Sequence, residues 1–74
     1  MFYDEFCSTE YQKTVFKAIV DLSVHSCYIS IQDLSYLGIP QTELKEILKF
    51  FELKGLFKNV QHLGESYPVL FSLK

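Results

Sequence analysis

The chain has 74 residues, with seven lysines and no arginine set against nine acids, for a formal net charge of −2. That length holds one domain, and no apolar run nears the roughly 18 residues needed to span a bilayer. At 49% hydrophobic and 16% aromatic residues, a core can form despite the high surface-to-volume ratio of so short a chain, with apolar surface left over for a partner. Without arginine the chain lacks the usual bidentate reader of guanine, and its acidic balance opposes phosphate binding. Charge on one face can still differ from the total.

The first eight residues, MFYDEFCS, set Phe2, Tyr3 and Phe6 around Asp4 and Glu5. A disordered arm rarely carries so many aromatics, so residues 1–8 are expected to pack, either on their own domain or on a second subunit. The domain proper spans 9–74. A first helix is expected from Thr9 to Val24, with Thr9 and Gln12 spaced for a capping box. Tyr11, Val15, Ile19 and Leu22 form its apolar stripe, widened by Phe16, Ala18 and Val20. A loop at His25-Ser26-Cys27 follows, then a short strand at Tyr28-Ile29.

Ser30 and Asp33 are spaced for a second capping box, ahead of a short helix from Ile31 to Tyr36 with Ile31, Leu34 and Leu37 on one side. Gly38 permits a sharp turn, and Pro40 suits the first turn of a further helix from Gln41 to Lys54. There Leu44, Ile47, Leu48 and Phe51 follow the i, i+3, i+4, i+7 spacing of one buried face. Gly55 stops the helix. Two strands are expected beyond it, Leu56 to Gln61 and Tyr67 to Leu73, around a Gly64 turn. In the second, Val69, Phe71 and Leu73 should face the core, and Pro68 should stand at a strand start or an edge.

A short helix, a glycine turn and a longer amphipathic helix make a helix-turn-helix. With Ile29-Ser30, Leu34, Leu37-Gly38-Ile39, Leu44, Leu48, Phe51 and Lys54-Gly55-Leu56-Phe57 in place, the chain from about residue 10 to 74 resembles the winged helix-turn-helix family. The resemblance implies a small α+β fold of three helices and a C-terminal β-hairpin wing. It also implies a double-stranded DNA partner, as for a small transcriptional regulator. The third helix would lie in the major groove, with Gln41, Thr42 and Lys45 toward base edges, Lys49 on a phosphate and Lys58 on another from the wing. Glu43, Glu46 and Glu52 oppose that use, since carboxylates repel phosphates.

The alternative function is a protein-interaction module, a homodimer or an adaptor. Phe50 and Leu53 stand one turn apart, away from the Leu44–Phe51 stripe, and two large apolar groups there call for burial against something. That cover is either the aromatic arm of Phe2, Tyr3 and Phe6 or another subunit. Cys7, His25, Cys27 and His62 show no metal-ligand spacing, and the three glycines form no phosphate-cradling loop. No nucleophile stands in an active-site motif. The chain is therefore read as non-enzymatic, without cofactor, small-molecule substrate or membrane partner. Two isolated cysteines without a secretory leader fit free thiols in a soluble, cytoplasmic protein.

Overall fold

A computed structural model describes residues 9–74; Phe2, Tyr3, Phe6 and Cys7 lie outside the described residues. Helix α1 spans Glu10–His25, strand β1 Ile29–Ser30, a 3₁₀ helix Ile31–Leu37, helix α2 Gln41–Leu53, β2 Phe57–Gln61 and β3 Leu70–Leu73. The strands form one antiparallel sheet in the order β1-β3-β2. The result is a small α+β unit in which a three-stranded sheet packs on three helical segments.

Each helical segment starts and stops on a local signal. At α1 the Gln12 N–H donates to Thr9 Oγ1 at 3.2 Å and the Thr9 N–H donates to Gln12 Oε1 at 3.3 Å, so two amides that the helix itself leaves unpaired are satisfied. The face that is buried is narrower than expected. Val15, Phe16, Ala18 and Ile19 are in the core and Leu22 packs against it, whereas Tyr11 and Val20 are exposed.

The second segment is a 3₁₀ helix rather than an α-helix, and its residues show why. Ile31, Leu34 and Leu37 repeat at three, which matches three residues per turn and puts all three on one side. Ile31 and Leu34 are buried and Leu37 packs on the core. The Ser30 N–H donates to Asp33 Oδ2 at 3.0 Å. Gly38, at φ +75°, reverses the chain in the left-handed region that a Cβ disfavours. Ile39 beyond it is buried. Pro40 stands at the N-cap, with its carbonyl accepting from the Leu44 N–H at 2.9 Å, and not inside the first turn.

Helix α2 buries Leu44, Ile47, Leu48 and Phe51. It ends in a Schellman arrangement: the Leu56 N–H donates to the Phe51 carbonyl at 3.1 Å and the Gly55 N–H to Glu52 at 3.0 Å. Gly55 sits at φ +77°, and Leu56 is buried in the same cluster as Phe51, the apolar contact that accompanies this cap.

The core is threaded by aromatic rings from four elements. Phe16 of α1 meets Phe51 of α2 edge-on at 6.1 Å, Phe51 meets Phe57 of β2 edge-on at 6.2 Å, and Phe57 stacks on Phe71 of β3 at 4.2 Å.

The hairpin departs from simple alternation. The pairs Phe57↔Leu73 and Lys58↔Ser72 are followed by Gln61↔Leu70, so β2 carries one extra residue. Asn59 at φ +54° absorbs it, which makes a β-bulge. Strand β3 starts at Leu70 rather than Tyr67, and Pro68 is fully buried just ahead of it. Phe71 faces the core, but Val69 and Leu73 are only half-buried. Ser72, on the opposite side, is buried because its hydroxyl donates to the Cys27 carbonyl of the turn before β1.

The bulge gives a stability test. Asn59→Gly should stay within about 0.5 kcal/mol of the parent in urea unfolding. Asn59→Val, which places a β-branched residue at positive φ, should cost about 1–2 kcal/mol. Equal stability of the two would show that the bulge relaxes freely.

Candidate interface on helix α2

The exposed side of α2 is set by its own period. With Leu44, Ile47, Leu48 and Phe51 inward, about 100° per residue places Thr42, Glu46, Lys49 and Leu53 outward. Lys45 and Glu52 fall on one flank, Glu43 and Phe50 on the other. The hairpin lies along the Lys45 and Glu52 flank. Lys45 Nζ sits 5.1 Å from the centre of the Tyr67 ring, a cation–π contact. Glu52 Oε2 is 3.0 Å from His62 Nε2 at the hairpin tip. Both contacts join residues distant in sequence, and nothing local in the chain announces them.

Of the five residues that the family resemblance assigns to DNA, four share this helix. Gln41 and Thr42 are exposed in its first turn. Lys45 is half-buried over Tyr67. Lys49 Nζ is 2.9 Å from Glu46 Oε2, an exposed i, i+3 ion pair. Within Gln41–Leu53 two lysines meet three glutamates, so the helix carries no basic stripe. Lys58 is elsewhere: it borders a groove of about 300 Å³ with Ser23, Ser26, Cys27, Tyr28, Asn59, Ser72 and Leu73, to which α2 contributes nothing. Lys58 is exposed on β2.

Phe50 and Leu53 also part company. Phe50 is half-buried against the core, its ring 6.0 Å from Phe51 and capped by Lys54 Nζ at 5.4 Å. The expectation that it stands exposed beside Leu53 is corrected: its flank position turns it onto Phe51. Leu53 is 86% exposed, the most solvent-exposed large apolar side chain among the described residues.

Among the described residues no three His, Cys, Asp or Glu side chains cluster to hold a metal ion, and every buried polar side-chain atom has a partner. No described helix is long and apolar enough to cross a membrane. The outward side of α2 carries one ion pair, Glu46 with Lys49, and ends in the exposed Leu53. No protein-family model matches this chain, and no curated protein or solved structure matches it either.

The contrast between the two apolar side chains can be measured. Leu53→Ser should change the unfolding free energy of the monomer by no more than about 0.5 kcal/mol. Phe50→Ser removes a partly buried ring and should cost about 1–3 kcal/mol. Equal losses would place Leu53 in the core.

Proposed function

We propose that this domain is a non-enzymatic winged-helix module that works by protein contact through the outer face of α2. The element order, with a short strand ahead of the second helical segment and a hairpin after the third, is compatible with the winged-helix resemblance. So is a sheet in which β1 pairs with the last strand. The observation that carries the protein-contact reading is Leu53, 86% exposed beside an ion pair, Glu46 with Lys49, that has already neutralised itself. An uncovered leucine next to satisfied charge suits a protein surface. A phosphate backbone asks for unpaired cations, because affinity there grows with the number of phosphates neutralised. Lys45, held over Tyr67, is also partly engaged.

A second reading keeps duplex DNA as the partner, with the domain as a transcriptional regulator. It is favoured by Gln41 and Thr42, exposed in the first turn of α2, where a recognition helix meets base edges.

Fluorescence anisotropy with mixed-sequence duplex DNA at two salt concentrations separates the two. Protein contact predicts weak binding that the Lys45→Ala, Lys49→Ala double variant leaves unchanged. Tight binding whose salt dependence flattens in the double variant, by about two phosphate contacts, would establish the DNA reading instead.

A further inference from the structure

The outer face of α2 has an internal symmetry. By the helical period, the residues opposite the buried face are Thr42, Glu46, Lys49 and Leu53, spaced four, three and four apart, the repeat of a helix seam that meets another helix. The midpoint of Glu46 and Lys49 falls between Ile47 and Leu48. The midpoint of Thr42 and Leu53 falls at the same place. A two-fold axis there, perpendicular to the helix, sets Glu46 of one copy against Lys49 of the other and Leu53 against Thr42, twice over.

In such an antiparallel pair each flank faces the same flank of its mate. On the hairpin side Lys45 and Glu52 are engaged by Tyr67 and His62 of their own chain. On the Phe50 side Glu43 comes within two positions of Lys54. Glu43 and Glu52 share the same midpoint, but they lie on opposite flanks and never meet. A parallel pair would stack Glu46 on Glu46 and Lys49 on Lys49, so the charge pattern selects one orientation.

We infer that α2 docks on α2 of a second copy of this chain, antiparallel about the Ile47–Leu48 midpoint, with Leu53 as the apolar contact. This rests on the protein-contact reading and adds the identity of the partner. Within one chain Lys49 Nζ lies 2.9 Å from Glu46 Oε2, with Glu46 exposed and Lys49 partly so, where such a pair contributes little. Across the two-fold the four groups make an alternating ring with less water around it, in which opposite charges attract more strongly. Leu53 of each copy comes to rest on the Thr42 methyl of the other. The same face would then be closed to any other ligand while the copies are paired.

Sedimentation equilibrium of the full chain over a concentration series tests this. The wild type should associate reversibly as a dimer. Glu46→Lys, which gathers four cations at the axis, should raise the dimer dissociation constant at least about tenfold. Glu46→Lys combined with Lys49→Glu should restore it, because the alternating ring is rebuilt with signs exchanged. Leu53→Asp should weaken the dimer by a similar factor, and circular dichroism should show its fold unchanged because the residue is exposed. A monomer at every concentration would overturn the inference. A dimer indifferent to all three changes would do so as well, since the contact would lie on another surface. Neither result would touch the protein-contact reading, which falls only to the DNA titration described above.

Discussion

Four phenylalanines hold this domain in its arrangement. Phe16, Phe51, Phe57 and Phe71 run from α1 through α2 into two strands, and consecutive rings touch edge-on or stacked. Such geometries suit the ring quadrupoles and add to the area they bury. Because Phe51 touches both Phe16 and Phe57, the angle of α2 against the sheet and against α1 is one coupled quantity. A change that tilts α2 must disturb three rings at once, and close-packed interiors resist that.

That constraint fixes which side of α2 is left outside. The Schellman cap places Leu56 in the core directly after the helix, so β2 leaves α2 with little freedom. The Asn59 bulge then shifts the register by one residue, and the hairpin tip comes back to α2 through His62 on Glu52 and Tyr67 on Lys45. Neither of these partly exposed contacts is strong alone. Together they give α2 one braced flank and leave a narrow outer strip, Thr42 to Leu53, facing solvent.

The electrostatics of that strip decide what suits it. Nucleic-acid binding draws on unpaired positive charge, and here the charges alternate and cancel. Glu46 and Lys49 carry opposite charges at equal distances from the Ile47–Leu48 midpoint, so that pair is complementary to an inverted copy of itself, which a uniformly basic surface can never be. Leu53 adds an exposed apolar group at the end of that strip.

Much of the architecture was legible in the chain because the forces behind it are local. The Leu44, Ile47, Leu48 and Phe51 spacing marks a buried helical face, and the Thr9–Gln12 pair marks a helix start. Gly38 and Gly55 mark turns that need positive φ. All of these act within a turn or two of the residue concerned. The repeat of three in Ile31, Leu34 and Leu37 was visible as one helical face, and the packed chain winds it as a 3₁₀ helix. What required the tertiary structure involves residues far apart in sequence. Ser72 is buried because the Cys27 carbonyl lies behind it, Lys58 lines a groove with Cys27 and Tyr28, and Lys45 and Glu52 are engaged by Tyr67 and His62 of the hairpin. Periodicity gives the direction of a side chain from its own backbone; only the packed chain decides what stands in that direction.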